Sequence, residues 1–253
     1  MFKRFFRKPA GRAGSSAAQL TEGLRIYAVG DVHGRVDLLQ ELMRRIDADL
    51  GRAPPARAVT VFLGDYVDRG LESFGVVDLL AKGGWPTEII TLRGNHEETM
   101  LAFLQDAAVL ERWRNFGGLE ALHSYGVDVR EAMKGGGYEK IQTEFVKRIP
   151  PAHRQFLENT LPSVEIDDYF FCHAGVRPNV PLDRQSDQDL LWIREEFLGY
   201  SGSFGKVVVH GHTPVPAPEN LPNRINVDTG AYLTGMLTAL RLEGASRAFI
   251  TTA

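Results

Sequence analysis

Short apolar, β-branched runs recur along this chain, and five of them stop at a cluster of glycine, aspartate, asparagine or histidine. The runs at 24–29, 58–63, 88–92, 169–172 and 206–209 are too short for helices and predict strands. Those at 224–227, 237–242 and 247–251 predict three more. After the first run, Leu38, Leu39, Leu42, Met43 and Ile46 repeat at helical spacing, and residues 74–80 do so after the second. This β-α-β alternation predicts an α/β fold that carries its chemistry in loops at the carboxyl ends of strands. The later strands follow one another with fewer helices, which predicts a second, mixed or antiparallel sheet packed on the first.

Residues 98–160 have a different pattern. Met100, Leu101, Phe103 and Leu104, then Leu119 and Leu122, then Ile141, Phe145, Val146 and Ile149 form helical stripes separated by Gly117-Gly118 and Gly135-Gly136-Gly137. They predict a helical insertion that walls or caps the site, with the glycine triplet as a plain loop or a hinge.

Composition narrows the class. Hydrophobic residues make up 43% of 253 and charged residues 24%, enough to bury a full core in one domain, expected over 20–253. A net charge of -3 argues against a nucleic-acid binder. Cys172 is the only cysteine, which fits a reducing, cytoplasmic compartment, and no apolar stretch reaches membrane-spanning length, so no stable membrane insertion is expected. Residues 1–19 differ: Lys3, Arg4, Arg7, Lys8 and Arg12 come with no acid, and Phe2, Phe5 and Phe6 share a helix face. Pro9 and Gly11 limit any helix there, so a disordered basic leader is the expectation, with an anionic surface or a partner as the alternative.

The five motifs read Gly30-Asp31-Val32-His33-Gly34, Gly64-Asp65-Tyr66-Val67-Asp68-Arg69-Gly70, Arg93-Gly94-Asn95-His96-Glu97, His173-Ala174-Gly175 and Gly211-His212-Thr213. Asp31 and His33, two apart in extended chain, turn to one face and can reach one ion. Asp65 has two oxygens with which to bridge two ions, Asn95 offers a neutral oxygen, and His173 and His212 offer imidazole nitrogens. Nitrogen and oxygen ligands suit manganese, the expected metal, or iron or zinc. Two such cations, about 3.5–4 Å apart, could align water for in-line attack on phosphorus. Asp68 and His96 form a candidate acid pair, in which the carboxylate favours a protonated ring that can protonate a leaving alkoxide. Arg69 and Arg93, beside ligands, and Arg194, after the apolar residues 190–193, are candidate phosphate clamps. His210 and Cys172 are expected to be packed strand residues.

These motifs resemble those of the phosphoprotein phosphatase family, the serine/threonine branch of the calcineurin-like metallophosphoesterases, in its compact bacterial form. The resemblance runs from about residue 24 to 231. It implies a four-layer sandwich, two mixed β-sheets flanked by helices, with a dinuclear site at the sheet edges. It further implies that Asp31, His33 and Asp65 hold one metal and that Asp65, Asn95, His173 and His212 hold the other. Asp68 with His96 would be the acid pair, and Arg69, Arg93 and Arg194 the phosphate binders. Trp192-Ile193-Arg194 is similar to a stretch of the compact members, and Asp228-Thr229-Gly230-Ala231 resembles their strand-and-turn element after the last ligand.

The expected activity is therefore metal-dependent hydrolysis of phosphoserine and phosphothreonine in proteins or peptides, with phosphotyrosine left open. The alternative within the superfamily is diadenosine tetraphosphate hydrolysis. By resemblance, those enzymes lack the acid at Asp68 and carry Asp where Glu97 stands, so Asp68 and His96 favour the ester, whose alkoxide needs a proton more than an anhydride's leaving group does. A non-catalytic phospho-binding scaffold would show a lost ligand, and none is missing. A nuclease would show a second histidine where Pro214 stands.

Overall fold

The computed structural model describes residues 18–253. The basic, phenylalanine-containing segment up to residue 17 lies outside the described residues. Ala18 and Gln19, assigned to the leader from the sequence, are docked: the Ala18 carbonyl accepts from the Tyr169 hydroxyl, and the Gln19 N–H donates to Asp168.

The first sheet is built from β1 (Leu24–Val29), β2 (Arg57–Phe62) and β3 (Glu88–Thr91), joined by α1 (Val36–Arg52) and α2 (Ser73–Lys82). β1, β2 and β3 run parallel, and two late strands, β9 (Thr238–Glu243) and β10 (Ser246–Thr251), add antiparallel to the β1 edge. The second sheet has the order β4 (Ser163–Ile166), β5 (Tyr169–Cys172), β6 (Val207–His210), β8 (Arg224–Asn226), β7 (Glu219–Asn220). β5, β6 and β8 are parallel, with β4 and β7 antiparallel at the edges. Both sheets are thus mixed. β4 and β7 escaped the sequence pattern because one alternates polar residues and the other is two residues long. β4 turns into β5 through Asp167 at φ 50°, in a two-residue hairpin that a short acid tolerates.

Strand alternation makes the layers. Leu24, Ile26 and Ala28 point into the sandwich, against Tyr169, Phe171, Val209 and Ile225 of the second sheet. Tyr27 and Val29 point the other way, into a cluster with Leu39, Leu42 and Ile46 of α1 and Val76, Val77 and Leu80 of α2. On the far side, Phe170, Cys172 and Val208 pack on Leu190 of α9 (Asp187–Trp192) and Phe197 of α10 (Glu195–Leu198). The result is helix, sheet, sheet, helix.

Between β3 and β4 run six helices: α3 (Asn95–Phe103), α4 (Val109–Trp113), α5 (Gly118–Ser124), α6 (Arg130–Met133), α7 (Tyr138–Arg148) and α8 (Pro151–Glu158). Their stripes, including Phe103, Leu122 and Phe145, join the cluster of α1 and α2, so they extend the first helical layer and share its core. Gly135 and Gly137, with φ of 82° and 71°, make the turn between α6 and α7. α11 (Ala231–Thr234) follows β8. Among the described residues, no helix is long and apolar enough to cross a membrane.

Candidate dinuclear metal centre

Asp31, Asp65 and Asn95 follow β1, β2 and β3, and His173, His212 and Asp228 follow β5, β6 and β8. Each set of three strands is parallel, so all six side chains leave at carboxyl ends and converge where the two sheets meet. The loops that carry them are strained. Five of the seven described non-glycine residues with positive φ are His33, Asp65, Asp68, Arg69 and His212, at 44° to 73°. Such torsions cost about 1–3 kcal/mol each and persist where the surroundings over-determine them.

Glu97 supplies much of that determination. Its carboxylate accepts from the N–H groups of Asp65, Tyr66 and Gly94 at 2.8–2.9 Å and from Val67 at 3.3 Å. It therefore caps α3 and holds the Asp65 turn at once. Burial, then the charge of Asp65, pushes the Glu97 carboxyl up to about 7, with the N–H groups pulling the other way. Gly94 has to be glycine: a Cβ there would stand 2.1 Å from Asp65 Oδ1.

Two groups of side chains could each hold an ion: His33, Asp65 and His96, and Asp65, His173 and His212, with donor atoms within 4.8 Å of one another in each. Asp65 belongs to both. His33 spends its Nδ1–H on the Val67 carbonyl at 2.8 Å, and His173 spends its own on Leu63 at 3.0 Å. Their Nε2 lone pairs are left facing Asp65 Oδ2 at 3.4 Å. His173 Nε2 also lies 2.9 Å from Asn95 Oδ1 and 3.1 Å from His212 Nδ1. Imidazoles oriented by backbone carbonyls, with lone pairs crowding a carboxylate, are the arrangement a cation relieves. The residues fit a pair of divalent ions.

Electrostatics agree. Burial pushes Asp31 well above the usual carboxylate range, with Asp228 and Asp65 adding to it, and burial lifts Asp228 to about 6. Three crowded carboxylates of this kind call for positive charge. Burial would raise Asp65 too, but His173, His96, His33 and His212 pull it below its ordinary value. Burial holds His33 at about 3 and His212 at about 2, neutral and ready as ligands.

His96 is the exception. Burial opposes its charge, yet Asp65 and Asp68 overcome this and push the ring up to about 9. Its Nδ1–H meets Asp68 Oδ2 at 2.5 Å. Asp68 itself is raised by burial, so the pair competes for one proton.

The metal-facing groups open into a cavity of about 470 Å³. Asp31, His33, Asp65, Asn95, His96 and His212 line it, as do Arg69 and Arg194, while Asp68 and His173 stand behind His96, Asn95 and His212. Arg93 is not brought there. The Arg93 N–H bonds to Leu161, and its guanidinium caps the end of α8 through Glu158 O, Thr160 O and Thr160 Oγ1 at 3.0–3.3 Å. A cation at a helix C-terminus is well placed against the dipole, which accounts for the turn away from the site.

Other residues enter to which sequence reasoning gave no role. Trp113 Nε1 donates to Asp68, and the Tyr232 hydroxyl accepts from Arg69 Nη1 at 2.7 Å. Arg112, Phe116 and Trp192 also line the cavity, with Trp192 Nε1 donating to Glu98 at 2.9 Å. Arg112, Trp113 and Phe116 fall between the helical stripes, Tyr232 follows the turn after β8, and Trp192 was visible only as part of the stretch that ends in Arg194. His210 is buried against the Phe197 ring and held neutral at about 3 by burial, and the buried Cys172 thiol is pushed up by its surroundings, so both are packed strand residues.

Residues 24–235 match the calcineurin-like phosphoesterases. The chain belongs to that family. Its paired His/Asp groups make it a metal-dependent hydrolase. It is 26% identical over 235 residues to a bis(5'-nucleosyl)-tetraphosphatase of Anoxybacillus flavithermus, covering 84% of this chain and 88% of that one. It is likewise 26% identical over 223 residues to serine/threonine-protein phosphatase 1 of Salmonella typhimurium, covering 86% and 92%. A solved structure provisionally assigned as a diadenosine tetraphosphatase superposes with a TM-score of 0.63 at 21% identity, over 92% of this chain and 98% of that one, a likeness of fold. The chain thus shares the family with relatives of both kinds, and the phosphoprotein phosphatase branch is not singled out.

Proposed function

We propose that the chain hydrolyses a phosphoanhydride of a nucleoside polyphosphate, with dinucleoside tetraphosphates as the substrate class. The observation that carries this reading is the cavity lining: Arg69, Arg112 and Arg194 all face the space beside the metal groups. Three guanidiniums suit a run of phosphates better than a single phosphoryl group. The relatives named as bis(5'-nucleosyl)-tetraphosphatases support the same direction. This departs from the phosphoprotein substrate expected from the acid pair alone.

In this reading Asp31, His33, Asp65, Asn95, His173 and His212 would hold two divalent ions, which supply Lewis acidity toward phosphoryl oxygens when bound. Manganese is the proposed metal. Tyr232 steadies Arg69 on the substrate's phosphates, and Asp68 holds His96 to deliver a proton to the leaving oxygen. Residues 98–160, which contribute Arg112, Trp113 and Phe116 to the wall, would read the substrate as part of one domain over 20–253, in a cytoplasmic setting.

A second reading keeps the phosphoserine or phosphothreonine protein as substrate. The complete, buried Asp68–His96–Trp113 network favours it, since an alkoxide needs the proton such a network delivers. Metal-stripped protein assayed with and without manganese, on diadenosine tetraphosphate and on a phosphothreonine peptide side by side, separates the two. Metal-dependent cleavage of the dinucleotide supports the proposal. Phosphate release from the peptide alone would move the assignment to the second reading.

A further inference from the structure

We infer that the turn carrying Phe116, just after α4, is a nucleobase subsite, in which a heteroaromatic base stacks on the Phe116 ring. The inference rests on the nucleotide substrate proposed above and adds to it the surface that reads the base.

Seven large hydrophobic side chains are exposed among the described residues, and Phe116, at 52%, is the one that lines the metal cavity. The exposed half of this ring is apolar surface in contact with water, which a flat ligand would cover. Arg112 lies four residues earlier, at the end of α4, and lines the same cavity. Its guanidinium has no hydrogen-bond or ion-pair partner among the described residues. An exposed ring on the same wall as a guanidinium that faces the phosphates offers a stacking face to the base of the ligand whose phosphates that guanidinium meets.

The turn is fastened on both sides of Phe116. Before it, Trp113 is buried and bonded to Asp68. After it, the Gly117 carbonyl accepts from the Arg69 N–H at 3.3 Å. Gly117 has φ 99°, and a Cβ there would stand 2.2 Å from the Arg69 nitrogen, so no other residue permits this approach. Phe116 is therefore held between the acid pair and a phosphate-facing arginine. A base stacked on it stays attached to a phosphate at Arg69 without reorganisation of the loop, which is how preorganisation raises affinity.

The test compares two ligands that share a phosphate and differ by the base. Adenosine 5'-monophosphate and ribose 5-phosphate are titrated calorimetrically into manganese-loaded protein, so no turnover is needed. Wild type should bind the nucleotide about tenfold more tightly, in the range of base–aromatic stacking. Phe116→Ala should erase most of that gap and leave ribose 5-phosphate within about twofold, a change confined to one stacked base. Met133→Ala, which removes an exposed side chain outside the cavity, should keep the gap. No gap in wild type, an unchanged gap in Phe116→Ala, or equal weakening of both ligands would each overturn the subsite. Phenyl phosphate binding as tightly as the nucleotide would also overturn it, reassigning the ring to aromatic phosphopeptides. Diadenosine tetraphosphate hydrolysis is scored separately: its absence with the base-dependent gap intact would sink the proposed function and leave the subsite standing.

Discussion

The Trp113 indole nitrogen donates to Asp68 Oδ2 at 2.6 Å, onto the same oxygen that His96 Nδ1 reaches at 2.5 Å, while Asp68 Oδ1 is buried without a hydrogen-bond partner among the described residues. One carboxylate oxygen thus carries both bonds, and a residue of the helical insertion orients the group that orients His96.

Trp113→Phe keeps an aromatic ring against Gly118 and removes only the donor. Turnover on a phosphoserine peptide or an alkyl phosphate should fall about fivefold to tenfold, below the 10²–10⁴ of full general acid catalysis. On p-nitrophenyl phosphate, whose leaving group barely needs a proton, it should stay within about twofold. Asp68→Asn should show the same split more strongly. Equal losses on both substrates in steady-state kinetics would argue against His96 as proton donor.

Asp65 is the carboxylate shared by both metal groups. Asp65→Asn should lower bound metal below two ions per chain, measured by elemental analysis, and cut turnover by more than about 100-fold. Full activity with two ions bound would remove Asp65 from the bridging position.

Glu97→Ala strips the acceptor from the N–H groups of Asp65, Tyr66, Val67 and Gly94, all buried. Bonds to a charged group are the stronger kind, and orphaned donors add their own cost, so stability should fall by about 2–4 kcal/mol. Urea unfolding of the metal-free protein reads this directly. A change below about 0.5 kcal/mol, the ordinary size for a surface substitution, would show that the turn stands without Glu97.

Burial depresses His33 and His210 to about 3 and His212 to about 2, below the ordinary histidine value of 6.5. At these three rings the unfolded chain binds more protons below about pH 6.5, so their contribution to stability falls as pH drops from there toward 3, while the raised carboxyls of Glu97 and Asp228, at about 7 and about 6, act in the opposite sense. Each histidine contributes up to about 1.4 kcal/mol per pH unit in that window. His96, raised to about 9, acts in the opposite sense: its contribution is complete below 6.5 and is lost as pH rises through 9. Urea unfolding of the metal-free protein across pH 4.5–6.5 isolates one ring: His210→Gln should lose less stability on acidification than wild type, and an equal loss in both would contradict a buried neutral His210.

How far the sequence by itself determined this protein follows from how local each feature is. Eight of the ten strands among the described residues, and the polar side chains at their ends, were readable, because a short apolar run ending at Asp, Asn or His carries both element and chemistry within a few residues. Asp31 and His33 do line one cavity, but through a turn with His33 at φ 44° and its ring held by the Val67 carbonyl, not through the extended-chain alternation that their spacing suggests. Arg93 was misplaced on the same kind of reasoning. Adjacency to a ligand says nothing about a long, rotatable side chain, and the carbonyls ending α8, over 60 residues later, decided its direction. Glu97 was visible as part of its motif, but its grip on residues 65–67 needed the crossing of α3 beneath the second loop. Trp113, Phe116, Tyr232 and Asp228 came to the cavity through packing between segments far apart in the chain, where hydrophobic periodicity marks a residue as apolar without naming its neighbour. Local pattern encodes which groups a strand end presents. Which of them share a cavity is set by long-range closure of the two sheets, and that only the tertiary structure decided.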